Sequence, residues 1–290
     1  MASTFFGIVL GFAAIFGGFF LEDGNADTLF MLPAVLIVVG GTLAAGLAGS
    51  SFSQIAKMPR LILLTFNPPE YDREKILKQI VEYSIIAKKQ GLLAIEAKLK
   101  FIENVYLRKF FRNCIDGVSA DEFTSLVDTE VDNLSRRHAE NSDFFFKLGG
   151  YAPTMGIIGT VVGLISTLSN AGSDPNDLIR HIASAFIATL WGIVTANMIW
   201  LPIGDKLKRI HSEEIALIQT MRDGVCAIIK GDNPSIIRSK LLAAFPLEEQ
   251  ERLAAPRKNS AASDAPVAAF KLKADNSESN SKKPENPNGK

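Results

Sequence analysis

Four stretches of this chain run for 18 residues or more without Asp, Glu, Lys, Arg or His: Thr4 to Leu21, Leu29 to Gly49, Leu148 to Leu168 and Ile182 to Gly204. A bilayer core is crossed by about 20 residues of apolar helix. Hydrocarbon offers the backbone no hydrogen-bond partner, so each such span must close its own hydrogen bonds as a helix. The chain therefore reads as an all-α integral membrane protein with four transmembrane helices. Its content of 47% hydrophobic and 21% charged residues agrees with that class. The first stretch has the length of a secretory signal, but no basic residue precedes it. The turn Gly24-Asn25-Ala26-Asp27 then leads straight into the second stretch, so the two are expected to form a hairpin.

Orientation follows from the basic residues. The segment 52–147 holds fifteen Lys and Arg, 205–290 holds fifteen more, and the two short connections hold only Arg180. The long loop and both termini are accordingly expected in the cytoplasm and the short connections outside. Basic and acidic residues balance at 31 each, which gives no bulk charge for nucleic acid. Cys114 and Cys226 stand alone, without the pattern of a disulfide scaffold or a zinc site.

The chain divides into a transmembrane hairpin at 1–51, a cytoplasmic helical loop at 52–147, spans three and four within 148–204, and cytoplasmic C-terminal helices at 205–250. A polar tail at 256–290, rich in Ser, Ala, Asn, Lys and Pro, is expected to be disordered. Apolar residues recur at helical spacing from Asp72 to Phe111, including Ile76, Ile80, Tyr83, Leu92, Ile95 and Leu99. Ser119 with Glu122 three residues later signals the start of a helix that continues through Phe146 into span three. A helix over Asp205 to Lys230 is stopped by Gly231-Asp232-Asn233-Pro234, and a short one follows from Ser235 to Phe245.

Glycines crowd the spans, among them Gly156, Gly159 and Gly163 in the third, and small residues let helices approach closely in lipid. Pro153 and Pro202 each remove a helical hydrogen bond and create a bendable point. Thr160 and Thr189 carry hydroxyls that can bond the backbone or face a cation or water chain. Ordinary membrane helices also contain isolated Pro and Thr, so these residues alone do not define a path. Proton and sodium pathways use an intramembrane ionisable group, and none of the four stretches has one. If the chain conducts a cation, the carboxylate comes from another polypeptide. His138, His181 and His211 are scattered, without a metal-site or catalytic-triad pattern; neither an enzyme nor a bound cofactor is expected. A solute transporter would show internal repeats, and none is evident.

Four blocks carry a resemblance to a known family. They are Ala152-Pro153-Thr154-Met155-Gly156-Ile157-Ile158-Gly159-Thr160, then Ala185 to Gly192 with Ala196-Asn197 and Leu201-Pro202-Ile203, then Gly231-Asp232-Asn233-Pro234, and Ala87-Lys88-Lys89-Gln90-Gly91-Leu92-Leu93-Ala94-Ile95-Glu96. Together, over roughly residues 1–250, they resemble the MotA/PomA flagellar stator subunits, relatives of ExbB and TolQ. The resemblance implies a pentamer in the bacterial inner membrane around a dimer of a MotB-type partner, whose membrane Asp supplies the missing carboxylate. It implies that ion flow turns the ring and that cytoplasmic loops engage the rotor switch protein FliG.

By the same resemblance, Pro153, Thr160 and Thr189 belong to the ion pathway, and Pro153 and Pro202 to the conformational cycle. Lys88, Lys89 and Glu96 are the rotor-facing charges. Thr160 matches the sodium-type pattern, whereas Gly150 and Ala188 stand where sodium-driven members often carry an acidic residue and a threonine; the balance favours H+ over Na+. The alternative is an ExbB/TolQ-like energiser of outer-membrane transport, against which the N-terminal hairpin and the Gly-Asp-Asn-Pro block weigh.

Overall fold

The computed structural model describes residues 2–169 and 174–254; the tail expected to be disordered at 256–290 lies outside them. The described residues form helices and no strand. Four helices are long and apolar enough to cross a membrane.

Helix α1 (Ala2–Leu21) is apolar all round, and its span is not buried within the chain. Such a helix turns its sides to lipid or to another subunit. The second span is broken by its sequence. Helix α2 (Ala26–Leu29), capped by the Asn25 side chain, ends at Phe30, and α3 (Leu32–Val35) restarts with Pro33 in its first turn, where the missing N–H is harmless. A wide π-type turn at Leu36–Gly40 joins α3 to α4 (Gly41–Ala48). Ser51 and Gln54 then make a reciprocal capping box that opens the amphipathic α5 (Phe52–Phe66).

The segment Asp72 to Phe111 is not one helix. Helix α6 (Arg73–Gln90) stops at Gly91, whose φ of 85° lies in the left-handed region. A 3-10 stretch, Leu92–Phe101, precedes α7 (Val105–Ile115). Helical spacing survives the break because the tighter helix also returns a residue to the same face about every third position, so Ile95 is fully buried there.

Helix α8 (Ala120–Ser169) is 50 residues long and unbroken, with the Ser119 hydroxyl accepting from the Glu122 N–H at 3.3 Å. It carries the third span and the cytoplasmic helix before it as one rod, about 75 Å long at 1.5 Å per residue. Helix α9 (Pro175–Thr195), a second π-type turn at Ala196–Trp200, and α10 (Leu201–Ile229) form its antiparallel counterpart. Gly231, at φ 77°, ends α10. Its N–H bonds to the Ile228 carbonyl, and that of Asp232 to Ala227, both at 3.0 Å; this Schellman motif satisfies carbonyls left over at the helix end. Pro234 opens α11 (Pro234–Leu242).

Beneath the spans, Ile80, Ile95, Ile102, Leu107, Phe110, Phe111, Phe123, Ile218 and Met221 are buried. Edge-on ring pairs Tyr83–Phe111, at 5.0 Å, and Phe110–Phe123, at 5.5 Å, lock α6, α7 and α8 together. Higher up, Phe144, Phe145, Leu148 and Ala152 pack against Ala196, Trp200, Ile203 and Leu207. Residues 1–244 make one compact unit. In the second unit, α12 (Leu247–Ala254) starts with the N–H groups of Glu249 and Gln250 on the Pro246 carbonyl at 2.9 Å.

Candidate functional site

The third and fourth spans meet backbone to backbone at two glycines. A Cβ on Gly156 would lie 3.0 Å from the Ala188 carbonyl oxygen and 3.1 Å from Thr189 Cα; one on Gly192 would lie 2.7 Å from the Ala152 carbonyl oxygen. Backbone thus meets backbone. This proximity brings Thr160 and Thr189, 29 positions apart, into hydrogen-bond contact through their hydroxyls. Thr160 Oγ1 also lies 2.9 Å from the Ala185 carbonyl oxygen on the opposite helix and 3.1 Å from that of Gly156 on its own.

A threonine hydroxyl has a single proton to donate. Thr160 must spend it on the carbonyls, so Thr189 donates to Thr160. The result is a group of four oxygens in the middle of two apolar spans, the donor type that a hard cation or a water chain favours. No group of three or more His, Cys, Asp or Glu among the described residues is placed to hold a metal ion.

The two prolines bracket a shared contact. Pro153 has no N–H for the carbonyl of Gly149, four residues earlier. A Cβ on Gly149 would meet Leu201, the residue before Pro202, at 2.5 Å. The wide turn Ala196–Trp200 immediately precedes Pro202, where the ring would crowd the carbonyl of Met198 in a regular helix. Asn197, inside that turn, donates to the Ile193 carbonyl at 2.9 Å. The weak points of α8 and of the α9–α10 rod are therefore packed against each other.

Trp191 escaped the sequence reading. Its indole N–H donates to the Leu29 carbonyl at 2.7 Å, at the break in the second span, and its ring contacts Phe16 and Phe30. The signal was an intramembrane Trp, whose N–H needs a partner when buried. Among the predicted rotor-facing charges, Lys88, Lys89 and Glu96 are all exposed near the α6 end. Lys88 Nζ donates to the Gly231 carbonyl at 3.1 Å, which ties two of the sequence blocks together. Lys240 holds Asp232 of the same block at 2.7 Å.

Two histidines that looked scattered in sequence meet. His138 on α8 and His211 on α10 lie below the apolar stretches, with their Nδ1 atoms 3.1 Å apart. Glu214 is 3.6 Å from His138. Burial lowers the pKa of both imidazoles; Arg137 adds to this at His138, and His138 adds to it at His211. Burial raises the Glu214 pKa. Nearby Tyr71 is pushed up to about 12 by burial and then by Glu214.

Residues 5–90 match the family model described as motility protein A N-terminal, and residues 98–220 match that of the MotA/TolQ/ExbB proton channel family. Motility protein A of Bacillus subtilis is 32% identical over 254 residues, which is 87% of this chain and 93% of that protein. This chain belongs to the motility protein A family. Chemotaxis protein PomA of Vibrio alginolyticus is 32% identical over 239 residues, covering 82% of this chain and 93% of its own. The fold matches the structure of the flagellar MotAB stator complex from Bacillus subtilis with a TM-score of 0.82 and 32% identity, over 88% of this chain and all of that one. Like other motility A proteins, this chain is a multi-pass membrane subunit of a flagellar stator. The match at 5–90 separates it from an ExbB/TolQ-like energiser.

Proposed function

We propose that this chain is the ring-forming subunit that joins a MotB-type partner in a cation channel and converts ion flow into torque. The observation that carries the reading is the Thr160–Thr189 oxygen group, set between spans that hold no carboxylate. Hydroxyl and carbonyl oxygens can replace part of a cation's water, but cannot bind and release a proton near neutral pH. The missing ionisable group belongs to the partner, an Asp in its single membrane helix, seated beside Pro153. Protonation or ion binding there removes a buried negative charge and changes which face of the α8–α9 pair packs best against the partner. The linked points at Pro153 and Pro202 let both rods bend together, and the ring advances.

The chain acts as a pentamer around a partner dimer in the bacterial inner membrane. Both termini are cytoplasmic, as the distribution of basic residues supports. Lys88, Lys89 and Glu96 face the rotor protein FliG, with Lys88 also bracing the end of α10. H+ is the coupling ion, for which Gly150 and Ala188 speak. The chain performs no covalent chemistry.

The test is co-expression with the MotB-type partner. The two chains are expected to copurify as a pentamer with a partner dimer by native mass spectrometry. Replacing the partner's membrane Asp with Asn should leave the complex intact and stop rotation. A complex lacking the partner, or rotation undisturbed by that replacement, would refute the reading. A shift of swimming speed with sodium rather than with pH would assign Na+ instead.

A further inference from the structure

Where the first and fourth spans approach the basic loops, they part and leave a cleft of about 400 Å3. The two helices cross closely deeper in the span, where a Cβ on Gly11 would run into the Met198 side chain. One turn nearer the start of α1, a Cβ on Gly7 would meet nothing within 4 Å. Gly7, Ile8 and Met198 supply apolar wall, and Lys206 and Arg209 line the cleft from α10. From Met198 to Lys206 a helix rises about 12 Å, most of the roughly 15 Å depth of one leaflet's hydrocarbon. The uncharged stretch of the fourth span ends at Gly204, and Asp205 and Lys206 are the first charges after it. The cleft therefore runs from the acyl region to the level of the lipid headgroups.

Its charges suit a lipid phosphate. Lys206 makes no ion pair among the described residues. Arg209 reaches Glu213 through Nε alone, at 3.0 Å, and its two terminal nitrogens carry the remaining donors. Asp205 is the one acidic group on the wall. Helix α5, packed against both α1 and α10, adds the exposed Lys57 and Arg60 and no acidic residue. Basic groups at the membrane edge of a cleft between transmembrane helices recognise anionic headgroups. A soluble anion would use those charges but not the apolar wall beside them; a phospholipid uses both.

We propose that this cleft holds one anionic phospholipid, its phosphate on Lys206 and Arg209 and an acyl chain along Gly7, Ile8 and Met198. Pro202 and Asn197 also line the cleft, so the lipid lies against the bendable turn of the fourth span. The proposal needs only that the spans cross a bilayer, and it stands apart from the stator reading.

The test is native mass spectrometry of the full chain, as it purifies in detergent, titrated with phosphatidylglycerol or with phosphatidylcholine of the same acyl chains. One phosphatidylglycerol should bind per chain, about 25-fold more tightly than phosphatidylcholine, at roughly fivefold for each of two basic groups. Joint Lys206→Gln and Arg209→Gln replacement should remove that preference and leave phosphatidylcholine binding unchanged. Gly7→Leu, whose side chain grows into open space, should weaken both lipids. Equal binding of the two lipids by the unsubstituted chain would overturn the proposal, as would a preference that survives the double replacement. Displacement of bound phosphatidylglycerol by an equal concentration of glycerol phosphate would assign the charges to a soluble anion and overturn it too.

Discussion

Gly192→Ala adds one methyl group where the third and fourth spans have no room for it. The new Cβ would sit 2.7 Å from the Ala152 carbonyl oxygen and 3.0 Å from Gly156 Cα. Both neighbours are backbone, so neither can swing aside and the helices must separate. Overpacking of this kind costs about 1–3 kcal/mol. Against it stands a gain of about 1 kcal/mol for replacing glycine by alanine inside a helix. With backbone on both sides of the clash the cost lies in the upper part of that range, about 2–3 kcal/mol, so the net loss is about 1–2 kcal/mol, which lowers Tm by about 2–8 °C in a chain of this size.

Gly17→Ala supplies the control, because a Cβ on Gly17 meets nothing within 4 Å inside the chain; its Tm should hold or rise. The assay is thermal unfolding of the nanodisc-embedded complex, followed by tryptophan fluorescence. Trp191 lies on α9, one residue before Gly192, and Trp200 ends the turn after it. Because the same crossing sets Thr189 against Thr160, tethered-cell speed should fall with Tm for Gly192→Ala alone. Matching Tm and speed in the two variants would refute the reasoning that backbone contact at Gly156 and Gly192 builds the site.

Thr160→Val keeps the shape and deletes the hydroxyl, leaving the Thr189 donor without its acceptor; the loss of about 1–3 kcal/mol should slow rotation severalfold or more, while Thr160→Ser restores it. The His138–His211 contact predicts a pH dependence: both folded-state pKa values are lowered, so its contribution is full above the unfolded value of about 6.5 and is lost as pH falls below it. The groups around the pair are Arg137, Asn141, Glu213, Glu214, Tyr71 and Tyr106, and joint replacement of both histidines by Gln should flatten Tm against pH between about 5 and 7. Reversing Lys89 and Glu96 should leave Tm nearly unchanged, as exposed charges contribute little to stability, yet weaken motility, with partial rescue by opposite changes on FliG; undiminished swimming would remove these two residues from the rotor face.

The spans were legible because a bilayer demands long apolar helices, and 18 or more residues free of charge admit few other readings. The continuity of α8 was legible too, since Ser119 marks a start and nothing between it and Phe146 marks a stop. The break at Gly91 was not, because the three- and four-residue spacing of Leu92, Ile95 and Leu99 is that of an α-helix, whereas the 3-10 stretch keeps only the three-residue step from Leu92 to Ile95 on one face. Nor were the wide turns at Leu36–Gly40 and Ala196–Trp200, for a π-type turn adds no residue type of its own. Thr160 and Thr189 could be singled out as polar residues in apolar spans, but their contact depends on Gly156 and Gly192 facing each other across two helices. His138 and His211, 73 positions apart, meet only because α8 and α10 continue as paired rods beneath the membrane. Sequence spacing reports contacts within one helix, whereas this site is made between two.

The most direct test of the stator account is rotation in a strain from which the gene for this chain has been deleted. Electron microscopy should show complete filaments, and tethered cells should not turn. Induced expression of the chain with its MotB-type partner should then restore rotation. Deleted cells without filaments, or filaments turning at full speed with no other stator present, would contradict it.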